Sequence, residues 1–380
     1  MATTVPIKEN IITWALNRAG YDLAKFSSKY PALKVDHWLQ GDKQPTVKQL
    51  EDFSKKVHIP FGYLFLQEPP NEDIDFPFFR TGNLSPNYQV SPNVYDTILD
   101  LQRRQDWLRD YLIQLEIHPL AYVGKFGTDT SIDIFVKDLR DKLGLKAGCT
   151  ITCPTWEDTL GILIDTIERI GIIVIQNGIV GNNTSRPIPV EECRGFVLVD
   201  DYVPFMFLNN ADAKAAQLFT LIHELAHVWL GKSAGFNQDQ LLPASNETEI
   251  LCDRVAAEFL VPAHILREFW KDLADIQKLA TRLKVSTIVI ARRALDLELI
   301  SKTQFYTFYN KYIEQFRVKK GGSGGNFYST SKRRVSPTFA SFVDSAVQSG
   351  ELTYKDAFKL TGLYGNVYTQ FIQKHVTTVK

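Results

Sequence analysis

The pattern of apolar and polar positions changes once along this chain. From Tyr95 to Leu115, and again over 132–143 and 156–170, apolar residues recur every three or four positions, which predicts helices with one buried face. Over 171–175, 195–199 and 203–208 the pattern changes to β-branched and aromatic runs, which predict strands of a small sheet. The chain is therefore predicted to be α+β and mostly helical.

A long apolar stretch from Leu218 to Leu230 contains the motif H-E-x-x-H as His223-Glu224-Leu225-Ala226-His227. Residues four apart lie on one face of a helix, so the two imidazoles can share a zinc ion, and Glu224 can reach a water bound to it. The alternative is an amphipathic helix whose histidines are ordinary, partly buried residues. The apolar frame and a suitable third ligand favour the zinc site.

A second predicted helix, which starts near Glu247 and ends at Pro262, supplies this third ligand. Glu249 is the candidate, and Asp253 lies one turn further along the same face. There Asp253 can accept the second N–H of a ligand imidazole and so orient the ring. A solvated helix carboxylate is the alternative interpretation of Glu249.

Residues 1–68 are predicted to form a compact bundle of short helices. Gly20 breaks the first helix, and Thr46 can cap the helix that carries Leu50, Phe53 and Val57. The order of helices and turns resembles the Xre/Cro-type repressor domain, which is a helix-turn-helix fold.

DNA binding requires basic and amide side chains on the exposed face of the reading helix, together with phosphate contacts. Lys29 and Lys34 flank the expected position of that helix, but Asp36 and Asp42 oppose them. Docking on the rest of the chain or on a protein partner is therefore the alternative to DNA binding for this bundle.

The pattern divides the rest of the chain into a connector with a long helix (69–125), a zincin-like domain (126–315) that includes a helical subdomain (263–300), a Gly-rich linker (316–326) and a C-terminal helical module (327–380). In the subdomain, Arg292 and Arg293 either brace the metal helix, which carries His223, or lie in solvent. The basic cluster from Lys332 to Arg334 in the C-terminal module either contacts a nucleic acid or the substrate, or is solvated.

The positive and negative charges of the chain are balanced. The 380 residues include 43 basic and 43 acidic side chains, so no net field attracts nucleic acid or anionic lipid. The N-terminus lacks the features of a signal peptide and no apolar run can span a bilayer, so a cytoplasmic protein without membrane partners is expected. The four cysteines are predicted to be reduced thiols, with Cys252 facing a helical core.

The two helix motifs together resemble the ImmA/IrrE family of metallo-endopeptidases. His223 to His227, followed by the segment from Glu249 to Pro262, carries this resemblance, which extends over most of residues 8–300. It implies a zincin fold, a zinc cofactor, and a cytoplasmic bacterial or phage protein that cleaves a regulator, often a transcriptional repressor or an antitoxin. One departure from the family pattern is Asp253, where many relatives have Asn.

The predicted function is therefore zinc-dependent cleavage of a regulatory protein, with Glu224 as the general base for the zinc-activated water. An extended substrate backbone is expected to pair with the strand at Phe205, Met206, Phe207 and Leu208. Candidates for stabilising the oxyanion, by proximity in the sequence, are Tyr202, Arg194 and His264. The alternative function is a DNA- or protein-binding transcriptional regulator whose zincin domain is a sensor or is catalytically silent.

Overall fold

The computed structural model describes residues 3–72, 78–80, 91–237, 246–318 and 332–376. Of these, 3–72 and 91–95 form one compact unit, and the other described residues form a second. Helices dominate both units, and the second also contains a five-stranded sheet, which confirms the predicted α+β class. None of the helices within these ranges is long and apolar enough to cross a membrane.

The first unit contains α1 (Glu9–Arg18), α2 (Leu23–Lys29), α3 (Val35–Leu39) and α4 (Val47–Val57), with 3-10 turns at Pro31–Leu33 and Phe61–Phe65. Ile11, Phe26 and Phe53 are fully buried at the centre of the bundle. Thr46 caps α4 in a capping box with Gln49, as predicted. The bundle therefore has its own hydrophobic core.

The helix α3, at the predicted position of the reading helix, has only five residues. Its Val35 and Trp38 are buried in the bundle, while Lys34 before it is exposed. Lys29 donates a hydrogen bond to the phenol oxygen of Tyr21 at 2.8 Å. DNA binding by this unit stays a prediction, and docking on a protein stays the alternative.

Three helices of the second unit agree with the predicted ones: α5 (Pro92–Gln114), whose first turn belongs to the first unit, α6 (Ile132–Leu143) and α7 (Trp156–Arg169). Then follow α8 (Lys214–Leu230), α9 (Glu247–Leu260), α10 (Ala263–Phe269), α11 (Ile276–Leu283), α12 (Thr287–Asp296), α13 (Lys302–Val318), α14 (Pro337–Gln348), α15 (Tyr354–Thr361) and α16 (Asn366–His375). Shorter helical segments lie at Cys149–Thr152, at Leu273–Asp275 and over 332–335.

The sheet contains β1 (Phe78–Arg80), β2 (Ile173–Asn177), β5 (Gly195–Leu198), β6 (Phe205–Asn209) and β7 (Ala234–Asn237), and a separate hairpin contains β3 (Ile179–Val180) and β4 (Asn183–Pro187). The strand order in the sheet is β1-β7-β5-β6-β2. β5 runs antiparallel to both of its neighbours, whereas β2 is parallel to β6 and β1 is parallel to β7. The three predicted strand regions are therefore confirmed as β2, β5 and β6.

The strand β6, beside which the substrate backbone is predicted to bind, is paired on both edges in this structure. Each residue of the predicted substrate strand pairs with β2 on one side and with β5 on the other: Phe205, Met206, Phe207 and Leu208. Their side chains are also fully buried. Since both edges of β6 are occupied, an extended peptide has no free edge there to join.

Helices cover both faces of the sheet. On one face, Val197 and Met206 belong to a core that includes residues of α7 and α8. On the other face, the ring of Phe205 lies 5.7 Å from the ring of Phe339 in α14, between ring centroids. The ring of Phe339 also contacts Trp107 of α5, with centroids 5.9 Å apart. The sheet is therefore the middle of three layers.

The C-terminal module contacts α7 through the residues at its start. Arg333, from the predicted basic cluster, forms an ion pair with Asp165 at 2.8 Å. Thr338 donates a hydrogen bond to the carboxylate of Glu168 at 3.1 Å. Arg333 therefore has a partner within the protein. The predicted Gly-rich linker over 316–326 lies outside the described residues, apart from the end of α13.

Glu168 is buried at this junction, and burial raises the pKa of its carboxyl group although hydrogen bonds favour the charged form. A carboxyl whose pKa is higher in the folded state stabilises the fold at low pH, and this contribution is lost as pH rises through the folded pKa. We therefore expect Glu168→Gln to unfold at a higher temperature than the wild type at neutral pH. The difference should shrink as pH falls through the raised folded pKa of Glu168 and should be lost once pH is below the ordinary value of 4.5.

Thermal unfolding between about pH 4 and pH 8 measures this difference. Glu157→Gln, at an exposed position on the same helix, is the matched control and should show little pH dependence. A stability difference between Glu168→Gln and wild type that stays constant across this range would contradict the prediction.

Candidate metal centre

The helix α8 holds the H-E-x-x-H motif in a rigid, buried setting. Its side chains from Thr220 to Leu230 are all buried. The helix ends at Gly231, which has a left-handed backbone (φ +66°), and a Cβ there would meet the Cα of Gly124 at 2.9 Å. Only glycine fits this position, so the end of α8 is fixed against the preceding segment.

The helix α9 packs against α8 and starts just before the predicted third ligand. Asn246 caps α9 by accepting a hydrogen bond from the amide of Thr248 at 2.8 Å. Glu249 lies in the first turn, where the helix N-terminus favours negative charge. The local sequence therefore determines where Glu249 stands on the helix.

One of the two arginines of α12 braces the other end of α9. Arg293 forms an ion pair with Glu258, and its Nε donates a hydrogen bond to the carbonyl of Val261 at 3.2 Å. Arg292 instead pairs with Asp296 of its own helix. Arg293 therefore braces the helix that carries Glu249, whereas Arg292 pairs within its own helix, and bracing of the His223 helix stays a prediction.

The three predicted ligands meet in one buried group. Nε2 of His223 lies 3.1 Å from Oε2 of Glu249, Nε2 of His227 lies 3.1 Å from Oε1 of the same carboxylate, and the two Nε2 atoms are 3.3 Å apart. A tetrahedral zinc ion with bonds of about 2.0–2.1 Å separates its ligand atoms by roughly 3.3 Å. The triangle of His223, His227 and Glu249 therefore fits zinc.

Asp253 contacts the ring of His223 on the side away from the triangle. Nδ1 of His223 and Oδ1 of Asp253 are 3.0 Å apart, so a proton on Nδ1 leaves Nε2 directed at the triangle. Burial lowers the pKa of His223, but the hydrogen bonds to Asp253 and Glu249 outweigh it and raise the pKa to about 10. Metal binding must therefore displace a proton from this ring.

Glu249 is the anionic member of the triangle. Burial alone would raise the pKa of its carboxyl group, but the hydrogen bonds from His223 and His227 lower it to about 2. The carboxylate is therefore charged at neutral pH, which is the state that a metal ligand requires.

Glu224 lies in the same turn of α8 but outside the triangle. Both of its carboxylate oxygens are fully buried and have no hydrogen-bond partner among the described residues. Burial is the main reason why the pKa of this carboxyl group lies well above its ordinary value. A buried carboxylate without a partner costs free energy, and such groups are concentrated at functional sites.

The four cysteines are free thiols, as predicted. Cys252 lies on α9 between Glu249 and Asp253 and is fully buried, which confirms its predicted core position. Burial raises the pKa of the Cys252 thiol well above its ordinary value, so the side chain stays neutral next to the triangle.

The structure does not single out one of the three oxyanion candidates. Arg194, just before β5, forms an ion pair with Asp212 at 3.0 Å. Tyr202 lies in the turn between β5 and β6, where its amide donates a hydrogen bond to Asp200 at 2.8 Å. His264 is exposed on α10, whereas the triangle is buried. Their role at the oxyanion stays a prediction.

Sequence reasoning missed one residue that shapes the site. A Cβ at Gly195, the first residue of β5, would meet Cγ2 of Thr220 in α8 at 2.5 Å and the carbonyl oxygen of Phe207 at 2.8 Å. Glycine therefore allows β5 to approach α8 closely. The available signal was an isolated glycine at the head of a strand pattern, which often marks a close approach of another chain segment.

The comparisons with known proteins cover two parts of the chain. Residues 184–295, which contain β5, β6, α8 and α9, match the IrrE N-terminal-like domain of peptidase family M78. Residues 335–374 match a domain of unknown function, DUF8813. None of the curated proteins matches the chain. The region that carries the triangle is therefore similar to a peptidase family, and this similarity supports the ImmA/IrrE family.

Proposed function

We propose that this chain is a zinc-dependent endopeptidase that cleaves a regulatory protein, either a transcriptional repressor or an antitoxin. The observation that carries the proposal is the buried triangle of His223, His227 and Glu249 next to the unpaired carboxylate of Glu224. The similarity of residues 184–295 to a peptidase family supports the reaction class. The class of substrate rests on the resemblance to ImmA/IrrE proteins.

The residues have separate tasks in this reaction. His223, His227 and Glu249 would hold the ion. When bound there, zinc would supply a water molecule with a pKa lowered towards neutrality and a positive charge that polarises the substrate carbonyl. Glu224 accepts the proton that the attacking water loses and later donates it to the departing amine. Because burial raises the pKa of Glu224, its carboxyl group is suited to hold a proton between these two events.

Removal of the metal tests whether the protein is a metallopeptidase. A mixture of many peptides serves as the substrate. A peptide library prepared from a bacterial proteome is incubated with the full chain, and new peptide termini are identified by mass spectrometry. We expect cleavage by the zinc-loaded protein, loss of cleavage after dialysis against 1,10-phenanthroline, and recovery when zinc is returned. Cleavage that continues at the same rate in protein shown to be free of metal would contradict the proposal.

One observation favours a second function, in which the centre senses or stabilises rather than cleaves. His223, Glu224 and His227 are fully buried, which suits a structural or sensing metal site as well as a closed catalytic one. In that case the chain would be a DNA- or protein-binding regulator. Stoichiometric zinc without any new peptide termini in the same assay would favour this second function.

A further inference from the structure

The strand β5 runs alongside the part of α8 that carries Glu224. Gly195 at the start of β5 lies against Thr220, and the amide of Val199 just after β5 donates a hydrogen bond to Ser233 just after α8, at 2.9 Å. The strand and the helix therefore run in the same direction. Glu224 follows Thr220 by four helix residues, and Val197 follows Gly195 by two strand residues. Both steps span about 6 Å, so Glu224 lies beside Val197.

The edge of β5 that faces away from β6 is occupied by the protein itself. β7 pairs with it in antiparallel register, with Val197 opposite Ala234, Phe196 opposite Gly235, and Gly195 opposite Phe236. The helix α8 ends at Leu230, and Gly231 caps it. β7 begins only three residues after Gly231, so the chain turns back directly from the end of α8 to pair with β5.

The residues of the triangle and Glu224 are closed off from solvent in this arrangement. His223, Glu224 and His227 are 0% exposed and Glu249 is 5% exposed. Extended peptides commonly bind by adding a strand to a sheet edge through main-chain hydrogen bonds. The edge of β5 next to Glu224 has the position for such a strand, and β7 occupies it.

We propose that β7 is autoinhibitory and occupies the edge of β5 at which the substrate binds. An extended segment of the target protein pairs with β5 only when Ala234–Asn237 leaves that edge. This inference rests on the proposed endopeptidase function and adds to it a binding strand, β5, and a self-inhibiting contact. The substrate is then an unfolded or flexible segment of a protein, because main-chain groups that are already paired within a folded protein cannot pair with β5.

Several features make β7 easier to displace than the other neighbour of β5. β7 has four residues and makes three register pairs with β5, whereas β6 makes four with β5 and five with β2. Ala234 and Gly235 are poor strand formers, since alanine offers little to pack and glycine loses the most backbone entropy. The outer neighbour of β7, β1, has only three residues.

The register also limits the substrate side chain that can take the place of Ala234. Ala234 and Val197 are both fully buried, and Val197 belongs to the core that includes α8. A residue that replaces Ala234 opposite Val197 meets the same closely packed space, where added volume is destabilising. A small side chain is therefore preferred at this substrate position.

A reversible crosslink between β5 and β7 tests the proposal in the full chain. Residues directly opposite each other in antiparallel strands have Cα atoms about 4.5–5.5 Å apart, which a disulfide can bridge. In the double variant Val197→Cys/Ala234→Cys, we expect oxidation to reduce cleavage of the proteome-derived peptides by at least ~10-fold. Dithiothreitol should restore the cleavage, and zinc content should be equal in both states.

Ala234→Cys alone is the matched control, since without a partner cysteine on β5 oxidation should not change its rate of cleavage. An oxidised double variant that cleaves as fast as its reduced form, with the disulfide verified by mass spectrometry, would overturn the proposal. If neither the wild type nor the reduced variant cleaves any peptide, the endopeptidase function fails instead, and a second measurement still tests the role of β7.

This second measurement is hydrogen exchange of the wild-type protein, followed strand by strand. We expect the amides of Ala234–Asn237 to exchange at least ~10-fold faster than those of Phe205 to Leu208, because a displaceable strand opens without global unfolding. Oxidation of the double variant should slow exchange in β7. Equal protection of β7 and β6 in the wild type would show a permanent strand and would overturn the proposal.

Discussion

Glu224→Gln should lower the rate of peptide cleavage by about 10²–10⁴-fold while leaving the zinc content unchanged. The amide has nearly the same shape as the carboxylate but cannot accept the proton of the attacking water. Glu224 is not part of the triangle, so all three ligands remain. Because the wild-type carboxylate is buried without a partner among the described residues, we also expect the variant to be at least as stable to heat.

Three measurements on the same preparation separate these effects: zinc by mass spectrometry of the metal, cleavage of the peptide library, and the unfolding midpoint. Glu247→Gln makes the same chemical change at an exposed position on α9 and should leave all three values unchanged. A Glu224→Gln variant with full activity would exclude Glu224 as the general base.

Glu249→Ala should remove bound zinc and with it all cleavage. Loss of a residue that only orients a ligand commonly lowers metal affinity by about 10–100-fold, so loss of a ligand itself should exceed that range. The change also leaves the two histidines without the carboxylate that contacts both of them. We expect substoichiometric zinc after gel filtration and an affinity too weak to compete with a chromogenic chelator.

The control for this prediction is Glu247→Ala, which lies two positions earlier on α9 and is exposed. Circular dichroism shows whether α8 and α9 remain folded in both variants. Undiminished zinc in a folded Glu249→Ala protein would place the third ligand elsewhere and would refute the triangle as the metal site.

The residues of the triangle could be predicted because their signals are local. His223 and His227 are four residues apart on one apolar helix, and Glu249 and Asp253 share the same spacing on another. Thr46 could be predicted as a cap for the same reason, since a cap acts within one helical turn. In each case the geometry depends on a few neighbouring residues.

The neighbours of each strand could not be predicted, because strand pairing is set by contacts between distant segments. The run from Phe205 to Leu208 indicates a buried strand equally well whether it lies in the middle or at the edge of a sheet. Its place between β2 and β5 depends on residues 173–177 and 195–198 and on how the helices cover both faces. The sequence of this run therefore does not reveal that both of its edges are paired.

The contact of Phe339 with Phe205 and Trp107 has a consequence for how the protein can be divided. Residues 335–374 match a family domain of their own, but their first helix covers Phe205 of the sheet that contains β5 and Trp107 of α5. A chain shortened before residue 335 would expose this aromatic surface to water, and large exposed apolar patches promote aggregation. A shortened version of the protein that contains the metal centre and resists aggregation must therefore keep the C-terminal module.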